Sequence, residues 1–121
     1  MSSRPYVTLA RLYKALAHPV RLQILQLLAE QEACVCHLAT ALRRRQPYVS
    51  QQLAVLRAAG LVVDRREGLL VYYRLSTPAV VDLLARGRAL LPEQGLPVPE
   101  PPAVPSPLPG CPCPRCTGAP A

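Results

Sequence analysis

The chain has 121 residues, half of them apolar, and a formal net charge of +7, which is enough for one domain with a hydrophobic core. No apolar run reaches the ~18 residues of a transmembrane helix, and the N-terminal residues lack the apolar segment of a signal peptide, so we expect a cytoplasmic protein. The positive charge, almost all of it from Arg, favours an anionic partner, most simply nucleic acid.

Proline divides the chain into two unequal parts. Residues 92–121 contain eleven of the fifteen prolines and three of the five cysteines, whereas residues 1–91 contain thirteen of the fourteen cations. A Pro-rich segment with few apolar side chains favours extended backbone without a core of its own. We therefore predict a folded domain over 1–91 and a flexible, cysteine-containing tail over 92–121.

Four successive segments of the first part have the apolar spacing of amphipathic helices. They are the segment marked by Leu9, Leu12, Tyr13 and Leu16, the segment that begins at Pro19 after His18, and the ranges 34–43 and 47–59. Proline suits the first turn of a helix and glycine suits the residue after its end, and Gly60 follows the fourth segment. These signals predict four helices.

The pattern changes after Gly60 from helical spacing to short β-rich runs. Residues 61–65 and 70–75 read as two strands, and Gly68 between them can adopt the positive φ of a hairpin turn. A last helix is expected to begin near Thr77, with Thr77 as its cap, and to reach about residue 91. The order α-α-α-α-β-β-α, mainly helical with a small β-hairpin (α+β), predicts a winged helix-turn-helix.

The third and fourth helices, with the hairpin, are the candidate DNA-binding unit. On the fourth helix Val49, Leu53 and Leu56 face inward, so the opposite side carries polar side chains suited to base edges. The predicted DNA contacts are Arg43, Arg44, Arg45 and Gln46 in the turn, Tyr48, Ser50, Gln51 and Gln52 on the helix, and Arg65 and Arg66 near the hairpin tip. Arginines in a turn and a wing suit phosphates and the minor groove.

The cysteines are more typical of metal ligands or redox thiols than of disulfides in a cytoplasmic chain. Cys34 and Cys36 stand at the start of the third helix. Residues i and i+2 of a regular helix point apart, but a first residue that is still extended lets both sulfurs converge. A helix N-terminus should also favour the thiolate. Trigonal As(III) needs three sulfurs and tetrahedral Cd(II) or Zn(II) needs four donors, so the pair is incomplete.

Three further thiols, Cys111, Cys113 and Cys116, lie within six residues of the tail. They can wrap a soft ion by themselves, complete the Cys34 and Cys36 site, or belong to a disordered end. His37 can add a nitrogen donor, but a lone His is more often structural or solvated, and we expect it at the surface.

Residues 8–91 resemble the ArsR/SmtB metalloregulators in several motifs at consistent spacing. The matching stretches are 14–22, Cys34-Val35-Cys36-His37-Leu38, 46–53 and 56–62. The resemblance implies a homodimer that forms through the first and last helices, binds operator DNA, and releases it when a metal ion binds. The related Cys-Val-Cys-Asp-Leu box implies Cys34 and Cys36 as ligands, with His37 in place of the usual Asp. The zinc site of other members looks absent, because the last helix offers Asp82 but no His.

The predicted function is a repressor that responds to a soft ion such as As(III), Cd(II) or Pb(II), without an organic cofactor. A repressor of the same fold that responds to thiol oxidation or reactive sulfur is the main alternative. A thiol oxidoreductase using Cys113 and Cys116 is less favoured, because no βαβ pattern surrounds them. A DNA-binding architectural protein would leave the cysteines unexplained. No catalytic constellation is visible, so we do not expect an enzyme.

Overall fold

The computed structural model describes residues 3–100, 102 and 107–118. The described elements are α1 (Arg4–Leu16), α2 (Pro19–Glu30), β1 (Ala33–Cys34), α3 (Val35–Leu42), α4 (Gln46–Ala58), β2 (Val62–Glu67), β3 (Leu70–Leu75), α5 (Ala79–Glu93) and α6 (Pro114–Thr117). The predicted mainly helical fold with a β-hairpin is confirmed. Two short elements, β1 and α6, were not predicted, because neither is long enough to show a periodic pattern.

Helix boundaries follow the local signals of the sequence. Pro19 begins α2, and His18 before it accepts the Val20 backbone N–H at its Nδ1 over 3.2 Å, which caps the helix. Gly60 ends the α4 region with φ +78°, and the Leu61 N–H then donates to the Leu56 carbonyl at 3.0 Å. The cap of α5 differs from the prediction, because Pro78 occupies that position, while the Thr77 hydroxyl accepts the N–H of Ala79 at 3.3 Å.

The wing is an antiparallel sheet in the order β1-β3-β2. In the hairpin Glu67 pairs with Leu70, so the turn consists of Gly68 and Leu69, and Gly68 has the expected positive φ of 60°. On the other side of β3, Cys34 of β1 pairs with Tyr72. The sheet therefore connects the wing directly to the segment that begins α3.

The core lies between α2, α3 and α4. Its fully buried side chains are Ile24, Leu25, Leu38, Val49, Leu53 and Leu56. Because α4 buries its Val49, Leu53 and Leu56 side against α2 and α3, its opposite side is presented outward. Among the residues that the structure describes, no helix is long and apolar enough to cross a membrane.

Residues 107–118 of the tail do not extend away from the domain. Cys111 and Cys113 are buried in a small cluster with Cys34 and Tyr72. The short helix α6 follows Cys113, and Gly118 ends it with φ 75°. This packing brings the tail thiols to the start of α3.

Candidate metal centre and nucleic-acid interface

The first two thiols lie at the junction of the wing and α3. Cys34 has extended backbone (φ −84°, ψ 166°) at the N-cap position, and Cys36 is the second residue of α3. Their Sγ atoms are 2.9 Å apart, which is hydrogen-bonding contact and is longer than the roughly 2.05 Å of a disulfide. The extended residue before the first turn thus lets the two sulfurs converge, as its position in the sequence predicts.

His37 lies under the tail rather than at the surface. Its exposed fraction is 7%, and its Nδ1 is 3.8 Å from Cys111 Sγ, 3.9 Å from Cys113 Sγ and 3.3 Å from Cys116 Sγ. The prediction of a surface histidine is therefore wrong. The physical reason is the tail, which covers His37 from more than seventy residues further along the chain.

The five thiols and His37 fall into two overlapping groups of possible metal ligands. Within the described residues, Cys34, Cys36 and Cys113 form a group of three sulfurs, here called the three-sulfur group. Cys111, Cys113, Cys116 and His37 form a group of four donors, here called the tail group. In each group all donor atoms lie within 4.8 Å of one another, and Cys113 belongs to both.

Burial gives these thiols unequal acidities. It raises the pKa of Cys34 to about 12, and the hydrogen bond with Cys36 acts in the same direction. The expected preference for thiolate at this helix start is therefore outweighed at Cys34. Burial opposes ionisation of Cys113 as well, but hydrogen bonds from Cys111, Cys116 and Cys34 lower its pKa on balance. Cys113 is thus the thiol of this cluster whose charged form its neighbours stabilise.

Burial, with the charge of Arg115 nearby, lowers the pKa of His37. The imidazole is therefore favoured in its neutral form, which keeps one ring nitrogen free to accept a proton or bind a metal ion. Its Nδ1 points toward the three sulfurs of the tail. A neutral histidine nitrogen next to three sulfurs forms a donor set for a soft or borderline ion.

A group of polar contacts holds the tail against the wing. It was not predicted from the sequence. Arg115 donates to the backbone carbonyl of Glu32 and to its carboxylate at 3.2 Å. Arg65 donates twice to the same carboxylate, at 2.6 and 2.8 Å. The Tyr72 ring lies near both guanidinium groups, at 4.8 Å from Arg65 and 5.0 Å from Arg115. No local pattern links these positions, so only the fold reveals the set.

The residues of the turn and of α4 that are predicted to contact DNA, here called the reading surface, are exposed for the most part. Arg43, Arg44 and Arg45 are exposed in the turn before α4. Gln46, Ser50 and Gln51 are exposed on the helix, whereas Tyr48 is half-buried. Arg43 has left-handed backbone (φ 55°), the only non-glycine residue of the described chain that does, and this reverses the chain after α3. Arg44 stacks over the Tyr48 ring at 5.7 Å.

Gln52 does not lie on that surface. It is buried, and its Oε1 accepts a hydrogen bond of 2.9 Å from Arg21, which also donates to the carbonyls of Ala15 and Lys14 at the end of α1. The prediction that Gln52 flanks the reading side is wrong, because the side chain turns inward to satisfy the guanidinium group. Gln52 and Arg21 instead hold α4 against α1.

The two wing arginines differ from each other. Arg66 is exposed and pairs with Val71 near the turn. Arg65 is exposed as well, but its guanidinium group donates hydrogen bonds to Glu32 and Glu67, and its contact with DNA stays a prediction. Leu69 at the turn is fully exposed.

Residues 18–63 match the family model described as "Bacterial regulatory protein, arsR family". The arsenical resistance operon repressor of Escherichia coli K12 is 52% identical over 67 residues, which are 54% of this chain and 57% of the relative. The arsenic resistance transcriptional regulator ArsR1 of Pseudomonas putida is 44% identical over 69% of this chain and 68% of its own length.

Among solved structures, the homodimeric winged helix-turn-helix DNA-binding domain of a Mycobacterium bovis protein is similar to this chain. The TM-score is 0.71 at 40% sequence identity, and the match covers 75% of this chain and 84% of that domain. The agreement in both sequence and fold extends well beyond the matched family region.

Proposed function

Because the chain belongs to the ArsR family of bacterial regulatory proteins and has the family's winged helix-turn-helix, we propose that it represses transcription from operator DNA and releases that DNA when a soft ion binds its thiols. As(III), Cd(II) and Pb(II) are the candidate effectors. The observation that carries the proposal is the three-sulfur group at the start of α3. We do not assign an enzymatic activity.

The donor set fits a thiophilic ion. Cys34 and Cys113 are buried, Cys36 is half-buried, and the group contains no carboxylate. Soft thiolates favour such ions over Mg(II) or Mn(II), and three sulfurs match the trigonal coordination of As(III). When bound, the ion would supply bonds that join the start of α3 to the tail. A tetrahedral ion such as Cd(II) would need one further donor beside these three sulfurs.

On the DNA side, α4 would lie in the major groove with Ser50 and Gln51 toward the base edges. Arg43, Arg44 and Arg45 would contact phosphates beside it. Arg66 and the exposed wing turn would follow the adjacent backbone or minor groove. Gln52 is withdrawn from this role by its burial and its hydrogen bond with Arg21, whereas Arg65 would exchange its exposed contacts with Glu32 and Glu67 for a phosphate.

The dimer is proposed to form through α1 and α5. Exposed apolar side chains on these helices include Tyr6, Leu9 and Tyr13 of α1 and Val81 and Leu90 of α5. Apolar side chains at this density on two neighbouring helices favour a partner surface. A two-fold dimer would present two copies of α4 to half-sites about one helical turn of DNA apart.

The coupling between thiols and DNA follows from the short distance along the chain. α3 begins at the three-sulfur group and ends at Leu42, and only residues 43–45 separate it from α4. A shift of α3 would therefore move Arg43, where the chain reverses, and change the orientation of α4. Coupling of about 1–3 kcal/mol would reduce operator affinity roughly 5–150-fold, and DNA must weaken ion binding equally.

The test uses fully reduced full-length protein and DNA selected from a random pool for binding. As(III) is titrated while sulfur-to-arsenic ultraviolet absorption and DNA anisotropy are followed in parallel. We expect one ion per protomer at the three-sulfur group together with release of DNA, and we expect that release to be lost in Cys34→Ser. Cys111→Ser is the matched control, because it keeps the three-sulfur group. Metal-driven release that persists in Cys34→Ser would overturn the proposal.

A redox-responsive repressor of the same fold is the second candidate, favoured by the 2.9 Å contact between Cys34 and Cys36. Two thiols would lose two protons and two electrons to an oxidant such as peroxide and form one disulfide. Reversible DNA release by peroxide in metal-free protein, without stoichiometric ion binding, would favour this candidate over the first.

A further inference from the structure

We propose that the tail group, Cys111, Cys113, Cys116 and His37, is a second metal site, closed and tetrahedral, that takes Zn(II). It goes beyond the effector site of the proposed function in both ligands and coordination number. The sequence places three of its donors together, but only the fold adds the fourth, His37, from α3.

The distances agree with one tetrahedral ion. With Zn–S bonds of about 2.3 Å and Zn–N bonds of about 2.0 Å, neighbouring donors of a tetrahedral site lie about 3.5–3.8 Å apart. The His37 Nδ1 lies 3.3, 3.8 and 3.9 Å from the three Sγ atoms. These separations are already close to those of ligands that share a zinc ion, so little rearrangement is needed.

The backbone of the tail holds the three sulfurs on one side. Cys113 is extended (φ −70°, ψ 156°) and α6 begins immediately after it, so Cys113 and Cys116 are brought together across the first turn. The Cys116 N–H donates to the Cys113 carbonyl at 3.0 Å. Pro112 and Pro114 limit the backbone freedom between the thiols, which lowers the entropy lost when they converge.

Groups outside the four donors support the same assignment. The Leu108 N–H donates to Cys116 Sγ at 3.3 Å, which is the kind of outer contact that stabilises a metal-bound thiolate. Cys111, Cys113 and His37 are all less than a tenth exposed. Four protein donors leave no open position, and structural zinc sites have this closed character, whereas catalytic sites keep a position for water.

The inferred role is to fix the tail against the domain. Bound zinc would join α3 to the tail, beside the place where Arg115 contacts Glu32. Zinc binding would therefore hold residues 111–116 in their folded position. Because binding free energy adds to the stability of the state that binds, the tail should resist proteolysis in proportion to zinc saturation.

The experiment uses Co(II) as a spectroscopic substitute for Zn(II) on the metal-free, reduced full chain. We expect one Co(II) per protomer with the intense visible bands of a tetrahedral site and sulfur-to-cobalt absorption, and displacement of Co(II) by an equivalent of Zn(II). His37→Asn should change the band positions and lower affinity by more than the ~10–100-fold typical of an outer-shell change. Cys116→Ser should act similarly.

The double variant Cys34→Ser/Cys36→Ser is the matched control, because it removes only the three-sulfur group. It should keep the tetrahedral Co(II) spectrum while As(III) no longer drives release of DNA, so the two sites fail separately. The inference would be overturned if the double variant abolished the Co(II) site, or if His37→Asn and Cys116→Ser left spectrum and affinity unchanged. Circular dichroism and DNA binding verify that each variant folds.

Discussion

The reading surface and the thiol cluster are built in opposite ways. The reading surface comes from one continuous stretch of chain, residues 43–51, which is mostly exposed and cationic and spans the turn before α4 and the start of α4, whose other side is anchored in the core. The thiol cluster is buried and joins two segments about seventy-five residues apart. A surface made from one element is fixed once that element packs, whereas a site made from two segments exists only while both remain in contact. The first can therefore be permanent and the second conditional.

The largest expected effect is on DNA affinity, which substitutions in the reading surface should lower without changing ion binding at the thiol cluster. Arg44→Ala/Arg45→Ala removes two proposed phosphate contacts from each protomer and four from the proposed dimer, so the slope of log affinity against log salt should become shallower by about 4, and operator affinity should fall roughly 1,000-fold or more at 0.1 M salt. Anisotropy titrations over a range of salt concentrations measure both. As(III) affinity of the free protein should not change.

Arg86→Ala on α5 is the control for this change, since it removes an exposed arginine outside the turn. An equal loss of DNA affinity in this control, or an unchanged salt slope in the double variant, would mean that the turn does not contact phosphates.

The second prediction concerns Cys113, which belongs to both ligand groups. If zinc holds this sulfur in the tail group, As(III) must displace it to use three sulfurs. Zn(II) at ten times its own dissociation constant should then raise the apparent As(III) dissociation constant about 10-fold, by simple competition. Ultraviolet titration with and without zinc measures the shift, and Cys116→Ser, which weakens only the tail group, should remove it. An unaltered As(III) titration would show that the two ions bind independently.

A smaller effect distinguishes the two neighbouring glutamines of α4. Gln52→Ala leaves the Arg21 guanidinium without one acceptor, so the free energy of unfolding should fall by about 1 kcal/mol. Gln51→Ala is exposed and should leave stability within about 0.5 kcal/mol, while it relaxes preference at one base position. Urea unfolding and binding to single-base operator variants provide the two measurements. The opposite assignment of effects would place Gln52, not Gln51, on the DNA.

The smallest effect is expected at the contact between tail and wing. Hydrogen bonds from Arg65, with the nearby charge of Arg115, lower the pKa of Glu32, so this carboxylate stabilises the fold above its ordinary pKa and loses that contribution as pH falls through the lowered value. Glu32→Gln should cost about 1 kcal/mol or less at pH 7, and the difference from the wild type should vanish in acid. Unfolding midpoints at pH 7 and below pH 4 test this, and a pH-independent difference would contradict it.

Local signals were sufficient for the helices, the hairpin and the convergence of Cys34 with Cys36, because each depends on residues within one or two turns of chain. They failed where the orientation of a side chain depends on contact with a residue far along the chain. Gln52 turns inward for Arg21, and His37 is covered by the tail. The helical period predicts the direction of a side chain but not the residue that it will contact. The proline content predicts an extended backbone but not the surface against which that backbone packs.

The separation of the tail thiols from the reading surface also has a genetic consequence under the proposed function. A nonsense mutation or proteolytic cut between residues 94 and 110 would remove three thiols and leave α1 to α5 intact. Such a product would still occupy its operator but could no longer be induced. In a cell that also makes full-length subunits it would form mixed dimers, and these dimers would also fail to release the operator when the ion binds. Loss of the tail is therefore expected to give a dominant, uninducible allele, whereas lesions in the reading surface should give constitutive expression.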